Sequence, residues 1–335
     1  MRHLFALTLI LGLVTGPPNS SHSIVIRHDL DRALYSAEGK QYPSVVTFLW
    51  PREEGEEKIA SLSGTLIAHH WILSAAHGRE EFEQETLRIE VGGITYEEVP
   101  FNLWLPHPCF PDQAEESDIG LVYVPNPPWP ELASYPDLYE GRDELGMVLV
   151  FVGRGNSGDG RKGSAGEEPK SLFLNATNKV DYVDERLIGF TFEDPELSES
   201  TVLEGISGDG DSGGPAFMCE ELSLDPLGRI TCLGALKLLG VSSFQEELRP
   251  GSTIGVYGVK ERYTRVSTHR EWIETTMLRS EAGSCTEAQV KEEVIEGGLA
   301  SGCQGGDSPL RAWHSLFALL LIWTGRRSGA VERCR

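Results

Sequence analysis

The sequence predicts an all-β fold, a barrel or a sandwich, that ends in one helix. Between residues 44 and 244 the chain is a series of short apolar runs, rich in β-branched residues and broken by Gly and Pro, such as SVVTFLW, LRIEVGGITY and GMVLVFVG. Several of these runs alternate apolar and polar residues, as half-buried strands do. Helical periodicity first appears at residues 268–278, and no internal repeat is visible.

Length and charge narrow the class of protein. The 335 residues are enough for a large core in one or two domains. The formal net charge is −22 and no stretch is strongly basic, which argues against nucleic-acid binding. An acidic surface suits the solubility of an exported protein.

The first 23 residues have the pattern of a secretory signal peptide. Arg2 and His3 give a positive start, and residues 4–14 form an apolar run that is too short to span a membrane comfortably. Small residues precede Ile24, so we expect a mature chain that begins there and is secreted or held at the cell surface or envelope. The alternative is an uncleaved anchor or a buried helix. In an exported chain, six cysteines favour disulfides over metal ligation.

The chain after residue 278 predicts a linker and a short apolar tail. Residues 279–311 are rich in Gly, Glu and Ser, which is typical of linkers. Residues 312–335 begin with AWHSLFALLLIWT and continue with GRR. The apolar run is shorter than a usual membrane span, but the basic cluster after it favours a membrane anchor or a sorting tail. An amphipathic surface helix is the alternative.

The stretch GDGDSGGPAF, residues 208–217, holds one hydroxyl group among four glycines. Alternating Asp and Gly can bind calcium, but such a loop needs more carboxylates at regular spacing and a closing Glu, which SGGPAF lacks. The other interpretation is that backbone N–H groups converge beside Ser212, and that Ser212 is a nucleophile. A nucleophilic Ser requires a His and a carboxylate elsewhere. Neither His-Glu-x-x-His nor Cys-x-x-Cys is present, and we expect no metal and no other cofactor. The alternative is a calcium ion that only stabilises the fold at the carboxylate-rich run REEFEQE, residues 79–85, although such a run is more often a solvated surface.

Two further stretches supply the partners of this Ser. WILSAAHG ends an apolar strand at His77, and SDIGLVYV sets Asp118 before a buried strand. Together with GDSGGP around Ser212 and YTRVSTHREWI at residues 263–273, they resemble the trypsin/chymotrypsin family of serine endopeptidases, in the family's order His, Asp, Ser. The early segment IRHDLDRALYSAEGKQYPSVV is similar to bacterial secreted members. The resemblance covers about residues 24–278.

The resemblance implies two packed antiparallel β-barrels with the catalytic residues in the cleft between them. Residues 24–140 would form the first barrel and carry His77 and Asp118. Residues 141–278 would form the second barrel, carry Ser212 and end in the helix.

The resemblance also implies the chemistry. Ser212 would attack the scissile carbonyl, His77 would move the proton, and Asp118 would orient His77. The N–H groups of Gly210 and Ser212 would stabilise the oxyanion. We therefore expect an exported serine endopeptidase that acts on proteins or peptides. The alternative is a catalytically inactive binding protein on the same fold; it is disfavoured because such proteins generally lose a residue of the triad, and all three are present.

An activation pair is implied as well. In the family, the Asp before the nucleophile pairs with a newly freed N-terminal ammonium, usually on Ile-Val. Asp211 precedes Ser212, and Ile24 follows the expected signal cleavage directly. We therefore predict that signal removal itself creates the activating terminus. The residues that follow Val25, IRHD, depart from the family's usual Gly-Gly.

The specificity pocket implied by the resemblance is lined by Ile206, Ser207, Ser243, Phe244, Gln245 and Glu261. Ile206 stands where trypsins carry Asp, and Glu261 stands at a usual Gly position that faces the pocket. We expect a preference for Lys or Arg, with some tolerance for large apolar residues. Two alternatives stay open: GALKLLG offers a strand register shifted by six residues, and a solvent-facing Glu261 would leave a chymotrypsin-like pocket.

The cysteine pattern departs from the family. The family's disulfide beside the catalytic His is missing, because Gly78 follows His77 where a Cys usually stands and Ser63 is expected at the partner position. Cys219 and Cys232 are expected to bridge a hairpin of the second barrel instead.

Overall fold

A computed structural model describes residues 24–49, 60–82, 86–101, 103–110, 112–113, 116–155, 158–164, 173–198, 200–246, 248–249 and 252–279. All of them belong to one compact unit of the chain. The expected signal peptide (1–23), the linker (279–311, apart from its first residue) and the apolar tail (312–335) lie outside the described residues. Within the described ranges, no helix is both long and apolar enough to cross a membrane.

The described chain is made of short strands followed by one α-helix. The strands are β1 (Val25–Ile26), β2 (Val45–Leu49), β3 (Ala60–Ala68), β4 (Trp71–Ser74), β5 (Thr86–Val91), β6 (Ile94–Pro100), β7 (Leu103–Pro106), β8 (Gly120–Tyr123), β9 (Asp137–Leu138), β10 (Val148–Gly153), β11 (Gly158–Asp159), β12 (Leu174–Lys179), β13 (Tyr182–Val183), β14 (Leu187–Thr191), β15 (Gly205–Ile206), β16 (Pro215–Leu224), β17 (Ile230–Glu246) and β18 (Lys260–Arg265). The helices are three short 3-10 turns and α1: Arg32–Tyr35, Gly39–Gln41, His77–Glu81 and Val266–Arg279.

The first large sheet comes from the N-terminal half of the domain. Its strands run β6-β5-β2-β3-β4-β8-β7 and pair antiparallel throughout. Aromatic rings fill its core: the ring centroids of Phe48 and Trp104 lie 5.2 Å apart, and those of Phe82 and Trp104 lie 5.6 Å apart. Such contacts add to the free energy gained by removing these large side chains from water. The core fixes β4 and β8, whose ends carry His77 and Asp118.

The second large sheet comes from the C-terminal half. Its strands run β12-β10-β16-β17-β18-β14-β13, and β9 adds to β17 in parallel. The long strand β17 pairs with both β16 and β18, so it lies beside the segment that follows Ser212. The helix α1 continues directly from β18 and buries Trp272 and Ile273. The all-β, chymotrypsin-like architecture with a C-terminal helix is thereby confirmed.

A third sheet joins the start of the domain to its second half. It has the order β11-β1-β15, with Val25 opposite Gly158 on one side and opposite Ile206 on the other. The strand β1, which the sequence assigned to the first barrel, therefore pairs with strands from the second half. Because β15 leads directly to residue 207, the seating of β1 is coupled to the loop that carries Ser212.

One buried ion pair ties the segment between the sheets to the end of β18. The Arg265 guanidinium donates to both carboxylate oxygens of Glu144 at 2.7 and 2.6 Å, and the two side chains are 4% and 0% exposed. Ser267 donates to the same carboxylate at 3.1 Å. Two-point Arg–carboxylate contacts fix geometry strongly, so the pair sets how β18 enters α1.

Candidate active site

His77 and Asp118 meet at one end of two paired strands. Ser74, the last residue of β4, pairs with Gly120, the first residue of β8. The chain therefore reaches His77 three residues after β4 and passes through Asp118 just before β8. The His77 backbone N–H donates to Asp118 Oδ1 at 2.9 Å, and His77 Nδ1 lies 2.7 Å from Asp118 Oδ2. The carboxylate contacts both the ring and the backbone of His77, which fixes the ring's orientation.

The second sheet holds Asp118 from the other side. Ser243, on β17, donates from its hydroxyl to Asp118 Oδ2 at 2.7 Å. Thr264, on β18, donates to the Asp118 carbonyl at 2.9 Å. The Asp118 side chain is 5% exposed, whereas that of His77 is 34% exposed. The carboxylate is thus buried and hydrogen-bonded, whereas about a third of the His77 side chain is exposed.

Ser212 lies in the turn between β15 and β16, which is docked onto the strands that lead to His77. The Ser212 carbonyl accepts a hydrogen bond from the Ser63 N–H at 2.7 Å. Gly213 has a φ of 79°, and a Cβ at that position would collide with the Ser63 carbonyl and the Ser74 hydroxyl. Gly213 also donates to the Ser242 carbonyl at 2.7 Å. The glycine is therefore required both for the backbone conformation and for the close approach of the turn to β3 and β4.

Two backbone amides of this turn lack an acceptor within the described part of the chain: those of Gly210 and Ser212. The amides around them are used, since Asp211 N–H donates to the Gly208 carbonyl at 3.1 Å and Gly214 N–H donates to the Asp211 carbonyl at 2.8 Å. Gly210 has a φ of 86°, in the region that favours glycine. Among the described residues, neither of these two candidate oxyanion donors has an acceptor.

Asp211 is buried behind the nucleophile turn and contacts Ile24. The Ile24 backbone nitrogen donates to Asp211 Oδ2 at 3.0 Å. Gly208 N–H donates to the same oxygen at 3.0 Å, and Gly155 N–H donates to Oδ1 at 2.6 Å. Burial raises the pKa of Asp211 to about 6, although these amide donors oppose the shift. A positive group beside this carboxylate would favour its charged form and lower its pKa again.

Three of the six predicted pocket residues form one buried polar cluster. Glu261 accepts from the Ser207 N–H at 3.1 Å, and Gln245 Nε2 donates to the Ser207 carbonyl at 2.6 Å. Glu261 is 1% exposed, so it does not point to solvent. Burial raises the pKa of Glu261 to about 8, while hydrogen bonds from Ser207 and Gln245 lower it and the nearby Asp211 charge adds to the increase.

The other three predicted pocket residues lie apart from this cluster. The Ile206 side chain is fully buried and packs in an apolar cluster with Val25, Phe192 and Val259. Ser243, which was expected to line the pocket, donates a hydrogen bond to Asp118 instead. The sequence motifs did not predict this contact. Phe244 is half-buried on β17, opposite Arg262 of β18.

One sequence-based expectation near His77 is wrong. A Cβ at Gly78 would collide with Leu62, so Leu62 and not Ser63 faces Gly78. A strand shifts its side chains to the other face when its register changes by one residue. Ser63 therefore points elsewhere: its hydroxyl donates to the Gly210 carbonyl at 3.3 Å.

The expected hairpin disulfide is present in the second sheet. Cys219 and Cys232 are bonded across β16 and β17, with their Cα atoms 5.3 Å apart. Within the described ranges, no group of three or more His, Cys, Asp or Glu side chains is arranged to hold a metal ion.

The chain is similar to a human protein named serine protease 56. The two are 29% identical over 242 residues, which cover 67% of this chain and 36% of the relative. No family model matches the chain. The similarity supports a trypsin-like serine protease family. The chain spans little more than a third of the length of this relative. Because the relative is human, it does not test the expected similarity to bacterial members of the family.

Proposed function

We propose that the chain is an exported serine endopeptidase that uses Ser212, His77 and Asp118. The observation that carries the proposal is the His77 Nδ1–Asp118 Oδ2 contact of 2.7 Å, at the end of the strands onto which the Ser212 turn docks. A lone His–Asp contact is common in proteins. The contact beside a glycine-rich turn with two unused amides is the arrangement that acyl transfer requires.

The reaction follows from these groups. Ser212 Oγ attacks the scissile carbonyl carbon while its proton passes to His77 Nε2, because a neutral hydroxyl is a weak nucleophile. Asp118 accepts the Nδ1–H and stabilises the imidazolium. His77 then returns the proton to the leaving amine as the C–N bond breaks, which leaves an acyl ester on Ser212. Water attacks the ester with the same proton transfers and releases the carboxyl product.

The oxyanion of each tetrahedral intermediate would be held by the N–H groups of Gly210 and Ser212. Both amides lack an acceptor within the described residues, so no existing hydrogen bond has to break before they can bind the oxyanion. Donors that are already oriented add no reorganisation cost during the reaction, and one such donor is typically worth about 100- to 1,000-fold in rate.

Activation would follow from cleavage before Ile24. The Ile24 backbone has a φ of 32°, which is disfavoured for a β-branched residue. A chain that begins at Ile24 has no such dihedral angle, and its ammonium supplies a positive partner that the buried Asp211 carboxylate lacks among the side chains that the structure describes. Both points support signal removal as the activating cut.

We further propose a preference for Lys or Arg before the scissile bond, received by Glu261. The carboxyl group sits in a buried polar cluster with Ser207 and Gln245. A basic side chain that enters this cluster would favour the ionised form of Glu261 and lower its pKa. Ile206, where trypsins carry Asp, has an apolar side chain that packs with other apolar residues, so it adds no second negative charge beside Glu261.

The location remains part of the proposal. The pattern of residues 1–23 supports export, and the apolar run followed by arginines in residues 312–335 supports retention at a membrane or the cell envelope. The similarity of the segment IRHDLDRALYSAEGKQYPSVV to bacterial secreted members of the family also supports export.

A peptide library tests the activity and the specificity together. The full chain, produced in a secreting host and with its N-terminus sequenced, should cut internal bonds of unstructured peptides, mostly after Lys or Arg. Ser212→Ala should cut none. Glu261→Gln should keep activity but lose most of the Lys/Arg preference. Equal cleavage by wild type and Ser212→Ala would refute the proposed activity, and would leave a binding protein on the same fold as the better account.

A further inference from the structure

Ser63 links the first sheet to the loop that carries the nucleophile. It lies on β3 and is fully buried. Its backbone is held within the sheet by the pairing of β3 with β2, in which Ser63 lies opposite Thr47. Its carbonyl also accepts a hydrogen bond from the Ser74 hydroxyl at 2.7 Å. A group fixed in this way can act as a rigid support for the loop that packs against it.

Ser63 makes contacts with successive residues of that loop. Its N–H donates to the Ser212 carbonyl at 2.7 Å, and its hydroxyl donates to the Gly210 carbonyl at 3.3 Å. Gly213 approaches the Ser63 carbonyl so closely that no side chain fits there, and a Cβ on Gly214 would lie 3.4 Å from the Ser63 Cβ. The backbone contact to Ser212 is available to any residue, whereas the contact to Gly210 needs a side-chain donor.

The Gly210 contact bears on the direction of a catalytic amide. Gly210 joins two peptide groups: the one before it carries the proposed oxyanion donor, and the one after it carries the carbonyl that Ser63 binds. The N–H of that second peptide group, on Asp211, donates to the Gly208 carbonyl at 3.1 Å. The peptide group is planar, so bonds on both of its sides fix its orientation. Glycine otherwise rotates freely, so this anchoring limits the rotation that would turn the Gly210 N–H away from the oxyanion.

We propose that Ser63 is a positioning residue that keeps the oxyanion-binding amides preorganised through its hydroxyl bond to Gly210. The inference rests on the proposed endopeptidase activity. The hydroxyl acts through the loop and touches neither the substrate nor the reacting atoms. Its loss therefore lowers transition-state stabilisation and leaves the binding of the ground-state substrate unchanged.

The test compares Ser63→Ala with Ser74→Ala in the exported full chain. Both variants remove one fully buried Ser hydroxyl from the same sheet, but the Ser74 hydroxyl bonds to β3 and not to the loop. For a peptide substrate found with the library, Ser63→Ala should lower kcat about 10-fold with KM unchanged. This is less than the ~100- to 1,000-fold loss that follows removal of an oxyanion donor itself. The rate of fluorophosphonate labelling should fall in parallel, because that adduct also places an oxygen in the oxyanion site.

Thermal melting separates positioning from stability. Both variants should melt below the wild type, and only Ser63→Ala should show the fall in kcat at temperatures where all three are folded. If Ser63→Ala does not fold, Ser63→Cys preserves the volume but has only a weak S–H donor, and it should show a smaller fall in the same direction.

The outcomes are distinct. Equal kcat for a folded Ser63→Ala or Ser63→Cys and the wild type overturns the positioning role and leaves the proposed activity intact. An equal fall in Ser74→Ala, or a change in KM alone, also overturns it, because a general loosening would explain both. A wild type that neither cleaves peptides nor labels at Ser212 overturns the proposed activity and the positioning role together.

Discussion

At the residue scale, the contact between His77 and Asp118 carries the account. The carboxylate accepts the Nδ1–H, so Nε2 is the ring nitrogen that takes the Ser212 proton in the proposed reaction. Asp118→Asn preserves the size of the side chain, but its amide can donate to the ring and favour the wrong tautomer. We expect kcat to fall about 10⁴-fold with little change in KM.

Steady-state kinetics and a thermal melt would check this prediction. Ser243→Ala is the milder comparison variant, because it removes one of the donors to the same carboxylate oxygen and leaves Asp118 in place. Its effect on kcat should be much smaller. A fully active Asp118→Asn protein would mean that the His–Asp contact is structural only.

Glu261 gives a prediction on pH and stability. Burial raises its pKa from the ordinary value of 4.5 to about 8 in the folded protein, so the folded state holds a proton that the unfolded state releases. The stabilisation that this carboxyl contributes is fully present below about pH 4.5 and is lost as the pH rises to about 8. Glu261→Gln mimics the protonated form and should not lose it.

Melting temperatures of the wild type and Glu261→Gln between pH 5 and 8 would measure this effect. The melting temperature of the variant relative to the wild type should rise steadily across the range. A constant difference would show that Glu261 does not change its protonation over this interval.

At the element scale, the contact between Ile24, just before β1, and Asp211 should differ in strength depending on whether the chain has been cleaved before Ile24. If Ile24 carries a buried ammonium, Asp211→Asn leaves that charge unpaired and should lower the free energy of unfolding by roughly 3–5 kcal/mol, with loss of activity. If Ile24 N remains an amide, the same change breaks no ion pair, but the Asn NH2 group faces a buried backbone N–H that then has no acceptor, so the cost should be only about 1–3 kcal/mol.

Denaturant unfolding of the exported protein, with its N-terminus sequenced, would separate these cases. We expect the exported protein to begin at Ile24 and the Asp211→Asn variant to be strongly destabilised and inactive. Full activity of a protein with residues retained before Ile24, and an Asp211→Asn variant destabilised by only about 1–3 kcal/mol, would contradict signal removal as the activating step.

The elements were largely predictable from the sequence, but their contacts were not. The alternation of apolar residues indicates strands, and periodicity at residues 268–278 indicates the helix found at Val266–Arg279. The pairing of β3 with β4 was open to a slip of one residue, so Ser63 was expected to face Gly78 where Leu62 does. Local pattern sets which residues form a strand, whereas the partner across the sheet depends on residues far away in the chain.

At the scale of the whole molecule, the two halves of the domain meet at polar contacts that the local sequence pattern does not predict. Asp118 from the first sheet is bonded by Ser243 and Thr264 of the second, and Ser63 reaches the loop of Ser212. The sequence motifs identified His77, Asp118 and Ser212 as candidates because their types and order are distinctive. The supporting residues are ordinary Ser and Thr, whose roles follow only from the packing of distant strands.

The Glu144–Arg265 pair should contribute strongly to global stability. It joins the segment between the two sheets to the start of α1 and is almost fully buried. Glu144→Ala leaves an unpaired guanidinium in the interior, so we expect the free energy of unfolding to fall by about 3–5 kcal/mol.

Denaturant unfolding checks this value, with Arg229→Ala as the control. Arg229 pairs with Asp225 at the surface, where an ion pair contributes little, so its loss should hardly move the midpoint. Equal effects of the two changes would contradict the importance of the buried pair.

Covalent labelling of the exported protein with a fluorophosphonate, followed by mapping of the adduct by mass spectrometry, would show whether Ser212 is an activated nucleophile. We expect one adduct, on Ser212, that is abolished in His77→Ala and in Ser212→Ala while both variants stay folded. Well-folded wild-type protein that begins at Ile24 and takes up no label, or labelling that persists without His77, would contradict an assembled catalytic triad.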